Sequence, residues 1–175
     1  MHILGCILIA IFLILFVFFG LTVFIGAPYV PTLSSELEEA FTKLIKIGKD
    51  DLVVDFGSGY GNALKIATKH GAKALGIEIN PILVLLSRWR LRKDKLAKVK
   101  LGGYKTVKLP KETTVIYLFC SSKDLKGIRR RLENEATRLG HPLKLISYGF
   151  QFDGLKQVKS HRAFFLYEIT PKSNK

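Results

Sequence analysis

The strongest constraint on the fold is a glycine turn that directly follows a short apolar run. Residues 52–56 are apolar apart from Asp55, and Gly57, Gly59 and Gly61 then alternate with other residues. A strand, a glycine turn and a helix in this order are typical of an open parallel sheet, whose ligands bind at the carboxyl ends of the strands. Because glycine lets the backbone approach a ligand closely, we expect the ligand site at this turn.

Strand and helix patterns alternate along the rest of the chain. The first helix is predicted from a capping box of Ser35 and Glu38 to about Ile47. Alternation of this kind implies right-handed crossovers and a mostly parallel sheet with helices on both faces. The predicted fold class is therefore α/β and Rossmann-like, with an antiparallel closing strand. The predicted strands cover residues 52–56, 74–78, 99–101, 114–119 and 143–148, the closing pair covers residues 150–152 and 163–169, and further helices begin at residue 62, at residue 81 and after residue 122.

Two details of this pattern can be compared directly with a structure. The helix after Asn80 has Asn80 as its cap, and its apolar residues Leu85, Leu86 and Trp89 are expected to face the core. Only residues 102–113 separate the third and fourth predicted strands. We therefore expect one covering helix of a doubly wound sheet to be missing there.

The charges around the glycine turn indicate the kind of ligand. A carboxylate two residues before the first glycine repels a pyrophosphate and attracts a cation or an amine. Glu78 ends the second predicted strand, where a carboxylate can accept both hydroxyls of a ribose. Taken alone, Asp55 also fits a turn-capping residue and Glu78 a solvated strand end. Together they suit a nucleoside with a phosphate-free cationic arm, such as S-adenosylmethionine. The expected cofactor-binding residues are Asp55, Gly57, Ser58, Gly59, Gly61, Glu78, Ile79 and Asn80.

Four segments give the chain a resemblance to a known group of enzymes. Over about residues 29–170, the chain resembles the class I methyltransferases related to the mitochondrial lysine N-methyltransferases of the ATP synthase c-ring protein and of the ADP/ATP carrier. The resemblance implies a Rossmann-like methyltransferase domain, S-adenosylmethionine as the cofactor and a protein lysine as the acceptor. The segments are Pro28-Tyr29-Val30-Pro31-Thr32, Val54-Asp55-Phe56-Gly57-Ser58-Gly59, Gly76-Ile77-Glu78-Ile79-Asn80-Pro81 and Val115-Ile116-Tyr117-Leu118.

A few further residues are candidates for contact with the reactants. Tyr117, at the exit of the fourth predicted strand, is expected to line the acceptor pocket, although an ordinary core aromatic fits it equally. Tyr29 and Thr32 lie in a proline-rich segment that can fold over the cofactor, and we expect both to contact it. No general base is expected, because transfer from a sulfonium chiefly requires alignment of the reacting atoms. His70 and His161 are expected to be structural or solvated.

The beginning of the chain carries no formal charge. Residues 1–27 contain no Asp, Glu, Lys or Arg, and the first basic residue is Lys43. A helix from Ile3 to Ile25 would extend about 34 Å, against roughly 30 Å for a bilayer core. We therefore expect a single transmembrane anchor over residues 3–25, with the N-terminus outside and the domain in the cytoplasm. The expected organisation is an anchor over residues 1–27, an extended segment and first helix over residues 28–50, and a methyltransferase domain over residues 51–175.

The rest of the chain has a large excess of positive charge. The whole formal net charge of +14 lies beyond residue 27, and ten basic residues stand against one acid between Arg88 and Lys111. Such a face can bind RNA, lie on anionic lipid headgroups or simply be solvated. No RNA-binding module accompanies it, and no Asn-Pro-Pro-Tyr or Asp-Pro-Pro-Tyr follows the fourth predicted strand. Nucleic acid therefore ranks below protein as the expected partner.

The combined prediction is a membrane-anchored protein-lysine N-methyltransferase that acts on a membrane or membrane-associated protein. Two alternatives remain open. One is an RNA or small-molecule methyltransferase, and the other is a catalytically silent module that binds S-adenosylmethionine. The two cysteines, Cys6 and Cys120, indicate neither a disulfide framework nor a metal site.

Overall fold

A computed structural model describes residues 2–25, 34–119 and 124–172 of the chain. The chain divides into two compact units, residues 1–30 and residues 31–175. The first unit contains the helix α1 (His2–Ile25).

The side chains of α1 that the structure describes are those of residues 3–14 and Phe16, and all of them are exposed. This stretch covers about 21 Å of helix, which is less than the thickness of a bilayer core of roughly 30 Å. In the described part of the chain, no helix is both long enough and apolar enough to cross a membrane. This finding overturns the predicted transmembrane anchor over residues 3–25 and the predicted single-pass localisation. The expectation of a membrane substrate rested on that anchor and falls with it.

The second unit is built on a mixed sheet of seven described strands. Its elements in chain order are α2 (Ser34–Lys43), β1 (Leu52–Phe56), α3 (Asn62–Lys69), β2 (Lys73–Glu78), α4 (Pro81–Arg90), β3 (Ala97–Leu101), β4 (Val115–Phe119), α5 (Leu125–Leu139), β5 (Leu143–Tyr148), β6 (Gln157–His161) and β7 (Phe164–Ile169). The strand order is β3-β2-β1-β4-β5-β7-β6. Strands β1 to β5 are parallel, and β7 pairs antiparallel with both β5 and β6. The predicted Rossmann-like, mostly parallel sheet with an antiparallel closing strand is confirmed.

Successive residues of the central strands contribute to two separate cores. Val53 on β1 belongs to a core with Phe41 of α2 and Leu64 of α3. Val54, the next residue, belongs to a second core with Leu132 of α5. All five residues of β1 are buried, since helices cover both faces of the sheet. This two-sided burial explains why β1 reads as an almost continuous apolar run.

The closing strand pair differs from the prediction in its first member. Residues 150–152 are not a strand, and β6 consists instead of mostly exposed residues 157–161. As an edge strand bonded only to β7, β6 needs no apolar face, so its sequence carries no strand signal. Phe152 is buried, and its backbone N–H donates to the Tyr167 hydroxyl at 3.0 Å.

Helix α4 buries a different face from the one predicted. Val84 and Ser87 are buried, whereas Leu85, Leu86 and Trp89 are 64%, 40% and 67% exposed. The prediction that these three apolar residues face the core is therefore wrong. Apolar residues occur on both faces of α4, so hydrophobic periodicity alone does not select the buried one.

Candidate cofactor site

The glycine turn forms a tight loop between β1 and α3. Gly57, Gly59 and Gly61 have φ angles of 81°, 52° and 78°, in the left-handed region that favours glycine. The N–H groups of Gly57 and Ser58 donate to the Ile77 carbonyl at 2.8 and 3.3 Å, which attaches the loop to β2. No described atom lies within 4 Å of a Cβ placed on Gly57. The backbone there is open to a ligand.

Glu78 ends β2 and connects the glycine loop to α4. One of its carboxylate oxygens accepts the N–H of Gly59 at 2.9 Å, and the other accepts the N–H of Asn80 at 2.8 Å. Asn80 in turn caps α4, because its Oδ1 accepts the N–H of Ile82 at 2.9 Å. Each carboxylate oxygen can accept a second hydrogen bond. Glu78 is buried rather than solvated, and it suits a pair of ligand hydroxyls.

Asp55 lies near the end of β1, at the same edge of the sheet as Glu78. Its side chain is buried, and this burial, reinforced by the negative charge of Glu78, raises the pKa of Asp55 to about 8. The carboxyl group is therefore mostly protonated at neutral pH when no cation is near. A positively charged group beside it would favour the ionised form. The site thus suits a ligand that carries both a cationic group and hydroxyls.

Ser58 supports the same conclusion. It is buried, and its hydroxyl has no hydrogen-bond partner among the residues that the structure describes. An unpaired buried hydroxyl costs about 1–3 kcal/mol, so a ligand that pairs with it recovers free energy. The side chain lies over Gly76 of β2, where a Cβ would meet the Cβ of Ser58 at 2.7 Å. The open loop, the two carboxyl groups and this hydroxyl together fit S-adenosylmethionine.

Tyr117, the predicted acceptor residue, lies beside this site. It pairs in register with Asp55 across the β1–β4 ladder. Its ring is only 4% exposed and packs edge-to-face on Phe41 of α2, with the ring centroids 5.9 Å apart. Most of the ring thus belongs to the core. Ile79, between the two polar residues that end β2 and cap α4, is half exposed.

Three of the residues selected from the sequence, Tyr29, Thr32 and Cys120, lie outside the described residues. Within residues 2–25, 34–119 and 124–172, no group of three or more His, Cys, Asp or Glu side chains is arranged to hold a metal ion.

One residue that braces the loop was not predicted. Arg90, in the last turn of α4, donates from Nη1 to the Tyr60 carbonyl at 3.2 Å and to Asn62 Oδ1 at 2.6 Å. The next residue, Leu91, lies against Gly61, where an added Cβ would meet its Cδ1 at 2.8 Å. Arg90 and Asn62 are 28 residues apart, so no local sequence pattern signals the contact.

No protein-family model matches the chain. The chain is 40% identical over 63 residues to the lysine N-methyltransferase of the ATP synthase C protein from Xenopus laevis, covering 36% of the chain and 27% of that enzyme. The Homo sapiens enzyme of the same name is 30% identical over 111 residues, which are 62% of the chain and 46% of that enzyme. A protein-lysine N-methyltransferase of Saccharolobus islandicus is 27% identical over 132 residues, 73% of the chain and 79% of that protein. The chain therefore spans about a quarter to a half of the two relatives named for ATP synthase and most of the third.

Two solved structures share the fold. The RNA methyltransferase from Salinibacter ruber, in complex with S-adenosyl-L-homocysteine, has a TM-score of 0.72 at 22% identity and covers 83% of this chain and 97% of its own. Geranyl diphosphate methyltransferase, in complex with S-adenosylmethionine, has a TM-score of 0.53 at 19% identity and covers 65% and 48%. At these identities the likeness shows the fold alone. The relatives' names agree with the predicted enzyme class and cofactor. Together the comparisons confirm the predicted resemblance: the chain has the class I methyltransferase fold and is similar to the lysine N-methyltransferases named for the ATP synthase C protein.

Proposed function

We propose that this protein is an S-adenosylmethionine-dependent protein-lysine N-methyltransferase. The observation that carries the proposal is the glycine loop bonded to Glu78 beside the buried Asp55. Similarity to a protein-lysine N-methyltransferase over 73% of the chain supports a lysine acceptor. The methyltransferase domain is assigned to residues 51–175, preceded by a segment over residues 28–50.

The residues at the carboxyl edge of β1 and β2 would hold the cofactor. Glu78 would accept hydrogen bonds from the two ribose hydroxyls, and Asp55 would face the positively charged end of the cofactor. The left-handed glycines bring the loop backbone close to the ligand, where a side chain would obstruct it. The remaining assigned residues are Gly57, Ser58, Gly59, Gly61, Ile79 and Asn80, with Tyr29 and Thr32 proposed to lie over the cofactor.

When bound, S-adenosylmethionine supplies a methyl group on a sulfonium: the acceptor nitrogen's lone pair forms the N–C bond, the C–S electron pair returns to sulfur, and the acceptor's proton goes to water. The chain's contribution is to align the reactants and exclude solvent. Tyr117 is proposed to line the acceptor side. Because apolar surroundings lower the pKa of an amine, its neighbourhood favours the neutral lysine that the transfer requires.

RNA is the second candidate substrate, because the chain around β3 is strongly basic. Part of this charge serves the fold itself. The Arg88 guanidinium donates two hydrogen bonds to the Val99 carbonyl, and Arg131 donates to the carbonyls of Lys105 and Val107. These two guanidinium groups cannot meet phosphates without giving up those bonds. Protein lysine therefore remains the favoured acceptor.

Calorimetry of the full chain with S-adenosylhomocysteine tests the cofactor site. We expect saturable binding, and a folded chain that does not bind would overturn the proposal. Incubation of the chain with methyl-labelled S-adenosylmethionine and a cell extract then tests the acceptor. Label on protein lysine supports the proposal, whereas label confined to RNA or to small molecules supports those alternatives. Cofactor binding without any transfer identifies a silent module.

Matched variants locate the site. Asp55→Asn and Glu78→Gln should each weaken S-adenosylhomocysteine binding by at least about tenfold, since each removes a hydrogen bond or ion pair of a charged group worth roughly 1.5–3 kcal/mol. Glu112→Gln changes an exposed acid between β3 and β4 and should leave the affinity unchanged. Unchanged affinity in both site variants would show that the cofactor binds elsewhere.

A further inference from the structure

We propose that Phe119, Tyr148, Phe150 and Glu36, here called the acceptor cluster, form the subsite that receives the aminoalkyl chain of the acceptor lysine. The inference rests on the proposed function and specifies where the substrate side chain binds. It concerns residues that neither the sequence motifs nor the cofactor site includes.

The topology places the acceptor cluster across from the cofactor residues. The chain leaves β1 toward β2 on one side and reaches β4 and β5 on the other, so the switch point lies between β1 and β4. Phe119 ends β4 and pairs in register with Tyr148, which ends β5. Phe119 follows Tyr117 by two residues and therefore points to the same face of the sheet. Because Tyr117 is in register with Asp55, that face is also the face of the cofactor carboxyl.

The rings form one contiguous group. The centroids of Phe119 and Tyr148 are 5.3 Å apart, and those of Phe119 and Phe150 are 6.2 Å apart. Gly149, with a φ of 80°, lets the backbone turn so that the rings on both sides of it reach Phe119. The buried ring of Phe164 supports Tyr148 from below at 4.6 Å. The three rings of the cluster are only partly buried, so ring surface remains accessible to a ligand.

A carboxylate lies at the edge of these rings. The Tyr148 hydroxyl donates to Glu36 Oε2 at 3.4 Å, and burial together with the charge of Glu36 raises the pKa of Tyr148, which keeps it a donor at neutral pH. Arg162 forms ion pairs with both Glu36 and Glu39 at 3.3 Å. Two carboxylates thus share one guanidinium, with His161 as a further partner of Glu39. In a chain with a net charge of +14, this is a local site for a cation.

This chemistry favours an alkylammonium ligand over a nucleobase. Aromatic faces attract ammonium groups through their quadrupole, and they continue to do so after methylation has removed N–H donors. Nucleobases also stack on aromatic rings, but RNA would bring phosphates toward Glu36 and Glu39. The rings also desolvate the amine, which favours the neutral form required for transfer.

Binding of lysine analogues to the full chain saturated with S-adenosylhomocysteine tests the proposal. The probes are Nα-acetyl-lysine methylamide, its Nε-trimethyl form and the uncharged Nα-acetyl-norleucine methylamide, titrated by NMR. Phe119→Leu keeps side-chain bulk but removes the ring, and it should weaken binding of the trimethyl probe by about 2- to 30-fold. Its affinity for S-adenosylhomocysteine should not change. Trp89→Leu, which removes an exposed ring on α4, is the matched control and should have no effect.

Glu36→Gln provides an independent measurement, because it changes a side chain in the first turn of α2 outside the core. It should weaken both cationic probes and leave the norleucine probe unchanged. If the chain binds S-adenosylhomocysteine but both variants bind the trimethyl probe as the wild type does, the inference is overturned and the proposed function stands. An oligouridylate that is weakened by Phe119→Leu in place of the lysine probes would also overturn it. Loss of S-adenosylhomocysteine binding by the wild type would overturn the proposed function itself.

Discussion

Among single residues, Asp55 has the environment with the clearest chemical consequence. Burial, reinforced by the charge of Glu78, raises its pKa from an ordinary value of 3.8 to about 8. The folded protein therefore carries a proton on Asp55 at neutral pH. A cationic ligand favours the ionised carboxylate, so its binding is coupled to release of that proton.

We predict that the affinity for S-adenosylhomocysteine increases from about pH 6 to about pH 8 and then levels off. Below the pKa of Asp55, a proton must leave before the carboxylate can pair with the ligand's ammonium group, at a cost of up to about tenfold in affinity per pH unit. Calorimetry in buffers of different ionisation enthalpy measures both affinity and proton release. Asp55→Asn should bind more weakly and without this pH dependence. A wild-type affinity that stays constant over the range would exclude the coupling.

Gly76 is a second residue at which local geometry has a direct consequence. It lies on β2 beneath Ser58, and a Cβ added to it would meet both Ser58 and Leu64 closer than 3 Å. Gly76→Ala is therefore expected to lower the free energy of unfolding by about 1–3 kcal/mol and to weaken cofactor binding, because the loop must shift. Urea unfolding and calorimetry measure the two effects.

Two further variants show whether contact with Ser58 causes the loss. Adding Ser58→Gly to Gly76→Ala removes the main steric conflict and should recover part of the stability. Gly48→Ala places a Cβ in open space and should change the free energy of unfolding by no more than about 0.5 kcal/mol. Equal losses at Gly48 and Gly76 would mean that helix or strand propensity, not contact, is responsible.

At the scale of elements, α2 shows how tertiary contacts override a local signal. Ser35 and Glu38 have the spacing of a capping box, but Ser35 lies inside the helix and Glu38 contacts His70 Nε2 at 2.8 Å. The helix also ends before Ile47, whose N–H donates to the Phe41 carbonyl at 3.3 Å in a turn beyond the helix. His70 thus has the structural role that its sequence context suggested.

Helix α4 owes its orientation to a contact with β3. Arg88 donates two hydrogen bonds, at 3.0 and 2.8 Å, to the carbonyl of Val99. This contact fixes the rotation of the helix and turns Val84 toward the core. Trp89 remains outside, where the Arg92 guanidinium lies 4.6 Å from its ring centroid.

The orientation of α4 predicts opposite effects for two apolar residues. Val84→Ala should lower the free energy of unfolding by about 1.5–3 kcal/mol, because it removes buried apolar surface. Trp89→Ser removes a much larger side chain but should change stability by only about 0.5 kcal/mol, because that side chain is 67% exposed. Urea unfolding compares them. A larger loss for Trp89→Ser would show that α4 is rotated as hydrophobic periodicity first suggested.

At the scale of the whole molecule, charge acts as a collective property. The chain has 28 Lys and Arg residues against 14 Asp and Glu residues, so repulsion destabilises the folded state. The opposing ion pairs, such as Arg162 with Glu39, are partly exposed and contribute about 0–1 kcal/mol each. The net repulsion should be the larger effect, since it involves every unpaired cation.

We therefore predict that salt stabilises the folded chain. Raising the ionic strength from about 0.02 to about 0.2 M shortens the screening length to less than about 10 Å and weakens the repulsion. The midpoint of thermal unfolding should rise in both sodium chloride and choline chloride, because screening does not depend on the cation. A lower midpoint in both salts would mean that the ion pairs outweigh the net charge.

The sequence by itself determined the order of the elements and the edge of the sheet that binds the cofactor. The predicted strands over residues 52–56 and 143–148 coincide with β1 and β5, and Asn80 caps α4 as expected. Residues 102–114, all of them described, contain turns and no helix, in keeping with the short connection. These features follow from hydrophobic periodicity, glycine turns and caps, whose physical causes lie within a few residues of the chain.

The tertiary structure alone decided which face α4 buries, where the polar edge strand β6 lies and which side chains meet beyond the cofactor edge. Glu36 and Tyr148 are 112 residues apart, and Arg90 reaches the glycine loop across 28 residues. It also reversed the expectation of a membrane-spanning helix for the described residues. Contacts between distant segments depend on how complete elements pack together, and no local pattern of residue types encodes that packing.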